Sequence, residues 1–205
     1  MLRRLGYPVK LEFTSIFPPE GGNLRPLSDI IGEKKNFQQW IGIAPFAAHE
    51  GKILPIEKTE ELIKEISRRH PSCRIFLFGG GEKEHAVLNA WCERYNNCTN
   101  ASQALHSLKE EMVVMSHLDV MVSMDSGNMH LAAISGTRVI SVWGETHPYA
   151  GFLGWNQRPE DCIQADLPCR PCSIYGNKPC QRGDYACLKS IDPITIADKV
   201  DWILN

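Results

Sequence analysis

An acid, a hydroxyl and a glycine directly follow an apolar run in the middle of the chain. The run LDVMVSM is followed by Asp125, Ser126, Gly127 and Asn128, and the helix-like stretch after them carries His130. Open α/β sheets bind ligands at loops of this kind, where a helix N-terminus offers unpaired N–H groups to an anion. The segment therefore predicts an anion-binding loop. The alternatives are an ordinary helix N-cap at Asp125 and Ser126, and a packed, satisfied histidine at His130.

Three other short segments carry residues that could complete such a site. Lys52 stands in FAAHEGKILP, where its flexible ammonium could reach a phosphate or could simply be solvated. Glu82 and Glu84 follow three glycines; a carboxylate after such a turn can bind a ribose diol, or can belong to an exposed first helical turn. Thr146, in GETHP, is either a further hydroxyl donor or a turn residue before Pro148.

Alternating strands and helices position these loops. Apolar runs predict strands over 40–46, 72–80, 118–124 and 138–144, and amphipathic spacing predicts helices over 57–70, 82–95, 107–117 and 127–135. This order predicts an α/β fold with a Rossmann-like parallel sheet and helices on both faces. Because such crossovers are right-handed, all the strand-to-helix loops should lie along one edge of the sheet.

The remaining segments define the predicted domain organisation. Residues 1–39 have no sustained periodicity and include SIFPPEGGNLRP, which indicates a linker-like N-terminal segment. Residues 40–205 are predicted to be one ligand-binding domain, with an irregular cysteine-rich loop at 162–187 and a C-terminal helix at about 193–204.

Composition excludes several classes of protein. The chain has 205 residues, 43% of them hydrophobic and 22% charged, which is typical of a globular protein and not of a disordered one. A net charge of −2 gives no electrostatic indication of nucleic-acid binding. No apolar stretch approaches the roughly 18 residues of a membrane span, and the N-terminal segment lacks the apolar region of a signal peptide. We therefore predict a cytoplasmic protein.

Five of the eight cysteines are concentrated near the C-terminus. After Cys162, the residues Cys169, Cys172, Cys180 and Cys187 have the spacing C-x2-C-x7-C-x6-C. Four thiolates within 20 residues can form a tetrahedral zinc site, although the wide second pair differs from a standard zinc ribbon. A structural zinc, disulfides formed on oxidation, and free thiols in an irregular loop all remain open; a catalytic role is not expected.

The loops and strands taken together resemble a known family. GIAPFAAHEGKILP, then LFGGGEKE, then DVMVSMDSGNMHLAAISGTRVISVWGETHP are similar to the second domain of family 9 glycosyltransferases, the ADP-heptose:lipopolysaccharide heptosyltransferases and their relatives. The resemblance covers roughly Ile41 to Pro148. Its most specific part is the Asp-Ser/Thr-Gly-x-x-His segment, followed by a strand and a Gly-x-Thr-x-Pro turn. It implies the C-terminal half of a GT-B fold.

The resemblance implies roles for individual residues. Lys52 would contact the diphosphate and stabilise it as the leaving group. The backbone of Ser126, Gly127 and Asn128 would cradle the phosphates, and Asp125 would face the donor sugar. His130, which matches the family histidine, and Thr146 would complete the donor site.

The resemblance also bears on the donor and on cofactors. Glu82 is the better candidate for the ribose contact, with Glu84 as the alternative. The lysine loop is the segment FAAHEGKILP around Lys52. Two positions near its start are often hydroxyl residues in these enzymes, and here they are Ala47 and Ala48. The implied donor is a nucleoside diphosphate sugar similar to ADP-heptose. The resemblance implies that catalysis requires no cofactor, and the cysteine spacing leaves a structural zinc open.

Family members have two domains, with the acceptor site and the catalytic carboxylate in the first. A chain of this length has no space for two domains of roughly 150 residues each. We therefore predict the donor-binding half alone, with the base not in this chain, and with a glycan or lipid A-core acceptor bound through a missing N-terminal domain. Peripheral association with the inner membrane would suit such an acceptor.

Two other functions remain open at this point. One is half of a nucleotide-sugar epimerase or hydrolase, since those enzymes use similar folds and a similar Asp-Ser-Gly turn. The other is a non-catalytic module that binds zinc or a partner through the cysteine-rich loop. The Gly-x-Thr-x-Pro turn favours the transferase.

Overall fold

Six parallel strands form one sheet through the middle of the molecule. The computed structural model describes residues 2–7, 12–35 and 38–205. Its strands are β1 (Trp40–Ala44), β2 (Arg74–Leu77), β3 (Cys98–Asn100), β4 (Val120–Met124), β5 (Val139–Trp143) and β6 (Cys162–Gln164). Their order across the sheet is β3-β2-β1-β4-β5-β6, and every neighbouring pair is parallel. This order puts β1 and β4 side by side at the centre.

Helices cover both faces of the sheet, as predicted. The helices are α1 (Ser28–Ile31), α2 (Ile56–Arg69), α3 (Gly81–Arg94), α4 (Ala101–Ala104), α5 (Leu108–Met115), α6 (Gly127–Ile134), α7 (Ala186–Lys189) and α8 (Pro193–Leu204). On one face, Ile43 and Val122 of the sheet pack with Leu62 of α2 and Val200 of α8. Alternate residues of the same strands point to the opposite face, where Met121 packs in a second core beside α5 and α6.

The predicted elements are found with boundaries shifted by at most three residues. The C-terminal helix matches its predicted range, because Pro193 occupies the first turn and Asp192 caps it by accepting a hydrogen bond from the Ile194 N–H at 2.9 Å. Ser107 caps α5 in the same way, accepting from the Glu110 N–H at 3.3 Å. Both helices therefore begin at a capping residue that can be recognised in the sequence.

Two strands and the three four-residue helices α1, α4 and α7 were missed. β3 and β6 have three residues each and contain polar side chains, so neither shows an apolar run or a period of two. Within the segment predicted to be a linker, Leu27 and Ile31 are buried in the core, the latter at the end of α1. The linker-like prediction is therefore wrong for 27–31. Residues 1, 8–11 and 36–37 of that segment lie outside the described residues.

No helix in the described part of the chain is both long and apolar enough to cross a membrane.

Candidate functional site

The loops after β1, β4 and β5 meet at the carboxyl edge of the sheet and enclose a cavity of about 220 Å³. Lining residues come from the lysine loop, the start of α6, the segment after β5 and the cysteine-rich loop: Ala48, Lys52, Asp125, Ser126, Gly127, His130, Phe152, Ile174 and Tyr175. The edge predicted from the handedness of the crossovers is therefore where the structure places the cavity.

Lys52 is held at the cavity by Asp125, the residue that directly follows the neighbouring strand β4. Its Nζ lies 3.3 Å from Asp125 Oδ2, and both side chains are largely buried, at 15% and 6% exposure. The same Oδ2 accepts a hydrogen bond from Thr146 Oγ1 at 2.8 Å. Thr146 itself is fully buried and does not line the cavity. The three side chains form one chain of contacts that fixes an ammonium beside the start of α6.

The start of α6 presents backbone N–H groups to the same cavity. Ser126 is the N-cap residue in an extended conformation, and its side chain caps no helix N–H. Nothing lies within 4 Å of where a Cβ on Gly127 would stand, so a ligand can approach the backbone there. His130 is exposed, lines the cavity and lies one turn into the helix. Asn128 is part of α6 but does not line the cavity.

The two glutamates predicted as ribose ligands have different roles in the structure. Glu84 Oε2 accepts a hydrogen bond from the Gly80 N–H at 2.7 Å and so closes the glycine turn. Glu82 is exposed in the first turn of α3. Neither lines the cavity, which lies on the β4 and β5 side of the lysine loop. Among the residues that the structure describes, none bonds to the Glu82 carboxylate, and its role as a ribose ligand stays a prediction.

A buried carboxylate under the lysine loop could not be recognised from the sequence. Glu145 is fully buried, and neither carboxylate oxygen has a hydrogen-bond partner among the described residues. Its main-chain N–H donates to the Gly51 carbonyl oxygen at 2.9 Å. A Cβ on Gly51 would come within 2.3 Å of Glu145 Oε2, so the carboxylate packs directly against the residue before Lys52.

Burial raises the pKa of the Glu145 carboxyl above its ordinary value. The nearby Cys172 thiol offsets part of this effect, and Glu50 adds to it. Between the ordinary and the raised pKa, the folded protein keeps a proton that the unfolded chain releases. The free energy of unfolding should therefore fall as pH rises through that window.

Glu145→Gln removes this ionisation. We expect the variant to be nearly as stable as the unchanged protein near pH 5 and more stable at pH 8, by on the order of 1–3 kcal/mol, since an unsatisfied buried charged group is replaced by a neutral one. Urea denaturation at both pH values measures this difference. Glu61→Gln, on the exposed face of α2, is the control and should show no such pH-dependent gain. An equal effect of Glu145→Gln at both pH values would contradict the prediction.

Among the described residues, the four cysteines considered as zinc ligands are not grouped around a common point. All eight cysteines are free thiols, and the described residues contain no group of three or more His, Cys, Asp or Glu side chains arranged to hold a metal ion. The four thiols differ in environment. Burial raises the pKa of Cys187 to about 11 and also raises that of Cys172, whereas backbone N–H groups lower the pKa of Cys180. The zinc ligand set Cys169, Cys172, Cys180 and Cys187 therefore gains no support from the arrangement of these side chains. Their pKa values do not decide the matter, because a bound metal would itself deprotonate its thiol ligands.

Comparison with known proteins adds an independent observation. Residues 27–180 match the model of the glycosyltransferase family 9 (heptosyltransferase) domain. The lipooligosaccharide heptosyltransferase 2 of Campylobacter jejuni is 23% identical over 137 residues, which are 64% of this chain and 41% of that protein.

Two solved structures show the same fold. The E. coli heptosyltransferase WaaC with ADP has a TM-score of 0.62 and 18% identity, over 98% of this chain and 53% of that one. The iron-containing dodecameric glycosyltransferase TibC of enterotoxigenic E. coli has a TM-score of 0.58 and 12% identity, over 83% of this chain and 46% of that one. The chain thus spans about half the length of the proteins that it matches.

Proposed function

The chain belongs to glycosyltransferase family 9, and from that premise we propose that it binds the nucleoside diphosphate sugar donor of a heptosyltransferase-like reaction in lipopolysaccharide or related glycan synthesis. The observation that carries this proposal is the placement of Lys52. Its ammonium, held by Asp125, faces the same cavity as the N-terminus of α6. Two sources of positive charge on one small cavity are what a diphosphate requires.

The proposed chemistry follows from that charge. Sugar transfer breaks the bond between the anomeric carbon and the diphosphate oxygen, and negative charge accumulates on the departing diphosphate. Lys52 and the backbone N–H groups of Ser126 and Gly127, which line the cavity, would stabilise that charge while the sugar carbon becomes positive. Because these groups supply the charge themselves, we propose that no metal takes part in the transfer.

We place the nucleoside on the β2 side of the cavity. Glu82 stands there in the first turn of α3, with a carboxylate that has no hydrogen bond to the backbone, whereas Glu84 is bonded to Gly80. The acceptor, a glycan or lipid A-core, would be held by a first domain of the kind that two-domain relatives have. A cytoplasmic location with peripheral inner-membrane association fits that acceptor and stays a prediction.

The test is nucleotide binding by the 205-residue chain. We expect ADP to bind with a dissociation constant on the order of 0.1–1 mM, about −4 to −5.5 kcal/mol, because half of a two-domain site forfeits contacts. Lys52→Ala should weaken binding by roughly 1–3 kcal/mol through loss of a charge-assisted contact. Calorimetry or NMR titration measures both.

Lys64→Ala is the matched control, because Lys64 is exposed on α2 away from the cavity. This variant should bind ADP like the unchanged chain. Absence of binding at several millimolar ADP, UDP and GDP would refute the proposed function. Equal affinities of the Lys52→Ala and Lys64→Ala variants would show that Lys52 pairs with Asp125 without contacting the nucleotide.

A further inference from the structure

The cysteine-rich loop reaches the donor cavity through one tight turn, Ser173 to Asn177. Ser173 is buried, and its Oγ accepts a hydrogen bond from the Gly176 N–H at 2.8 Å. The main-chain N–H groups of Cys172 and Ser173 both point to the carbonyl oxygen of Glu145, at 3.2 and 3.4 Å. These bonds attach the turn to the same segment that supports the lysine loop from below.

Gly176 lies directly on the aliphatic stem of Lys52. A Cβ at Gly176 would come within 2.5 Å of Lys52 Cγ and 2.9 Å of Lys52 Cδ. Gly176 also has a φ of +71°, which L side chains rarely adopt. The stem of Lys52 is therefore confined between this backbone and Asp125, which holds its ammonium.

The two residues before Gly176 form a wall of the cavity. Ile174 and Tyr175 line it and are each 60% exposed, so both side chains are accessible to a ligand in the cavity. The Tyr175 ring lies 5.8 Å from that of Phe152, at an interplanar angle of 50°. This aromatic wall faces the phosphate-binding groups from the β5 side, opposite the β2 side where Glu82 stands.

We propose that the Ser173–Asn177 turn is part of the donor site, in which Gly176 positions Lys52 and Tyr175 contacts the glycosyl group of the donor. The inference rests on the proposed function, because it takes the diphosphate to lie between Lys52 and α6. If the nucleoside occupies the β2 side, the other end of the donor must extend toward Ile174 and Tyr175. The cysteine-rich loop then contributes to donor selection.

The positioning role of Gly176 can be tested with a matched glycine. Gly176→Ala places a methyl group on the Lys52 stem, whereas Gly183→Ala has nearly the same backbone strain, with φ of +73°, and nothing within 4 Å. Under reducing conditions, we expect Gly176→Ala to weaken ADP binding about tenfold and Gly183→Ala to leave it unchanged, since tenfold corresponds to the partial loss of one charge-assisted contact.

A double-mutant cycle separates positioning from general damage. In a Lys52→Ala background there is no stem to displace, so Gly176→Ala should cause almost no further loss of ADP affinity. Thermal unfolding of both alanine variants shows whether their folds are equally affected. A loss that is the same with and without Lys52, or the same for Gly176→Ala and Gly183→Ala, would overturn the positioning role.

The contact with the sugar is tested by comparing two ligands. Tyr175→Ala should weaken ADP-heptose binding about threefold to tenfold, within the range for an aromatic wall contact, and should leave ADP binding unchanged. Tyr149→Ala is the control, since Tyr149 is 87% exposed and does not line the cavity. Equal effects of Tyr175→Ala on both ligands, or none on either, would overturn the assignment. Failure of the unchanged chain to bind ADP would instead refute the proposed function.

Discussion

Replacing Arg138 with leucine should lower the free energy of unfolding by about 3–5 kcal/mol, the usual cost of leaving a buried charge without its partner. Asp161 is fully buried. Its Oδ2 accepts a hydrogen bond from Arg138 Nε at 2.7 Å, and its Oδ1 accepts one from Arg138 Nη2 at 3.0 Å. The guanidinium also lies over the Trp202 ring, 4.7 Å from its centroid. Urea denaturation near neutral pH measures the loss.

Two further variants decide whether the buried pair is the cause. Arg182→Leu removes a comparable ion pair with Asp184, in which both side chains are about half exposed, and should change stability by less than about 1 kcal/mol. The double variant Arg138→Leu/Asp161→Leu removes both charges and should regain much of the stability lost in the single variant. A single Arg138→Leu variant as stable as Arg182→Leu would contradict the prediction.

The loop after β4 was the part of the site most accessible from the sequence. Its five-residue strand is buried throughout, so the apolar run marks it clearly, and Gly127 with a following helix marks the anion-binding end. The amphipathic spacing of α2 is equally clear, with Leu62, Ile63 and Ile66 buried. The local spacing of apolar residues determines these elements, and this spacing can be read from a single sequence.

The pairing of Lys52 with Asp125 could not be derived in the same way. It depends on β1 and β4 being neighbours, although β2 and β3 separate them in the sequence. The contact of Gly176 with Lys52 is even harder to predict from the sequence. It joins two loops that are far apart in the chain, and neither has a repeating pattern. Both contacts follow from strand order and loop packing, which residue types alone do not specify.

For the cysteines, a clear pattern in the sequence does not correspond to a common site in the structure. Four thiols close in sequence fit a metal-site pattern, but the fold places Cys187 in a buried helix and Cys172 against the Glu145 segment. Because the thiols are buried to different extents, their pKa values shift in different directions. Their environments therefore differ more than the spacing in the sequence suggests. Proximity in sequence does not ensure that the thiols converge on a common point.

Assayed alone, the 205-residue chain should bind donor nucleotides but transfer sugar many orders of magnitude more slowly than it does with an acceptor-binding domain supplied. Holding the acceptor next to the donor can be worth roughly 7–11 kcal/mol of the barrier, and a positioned base a further 10²–10⁴-fold. Among the described residues that line the cavity, Asp125 and His130 are the side chains able to accept a proton. Asp125 is already committed to Lys52 and Thr146.

The decisive assay incubates the chain with ADP-heptose and heptose-deficient lipopolysaccharide, with and without a separately expressed acceptor domain from a two-domain relative. Binding of ADP and transfer of heptose are measured on the same preparation, because the donor groups can hold the diphosphate without any acceptor. Transfer by the lone chain at ordinary enzyme rates would refute the prediction and require a base within these residues. Asp125→Asn would then be the first variant to make, since loss of transfer with retained ADP binding would identify that carboxylate as the base.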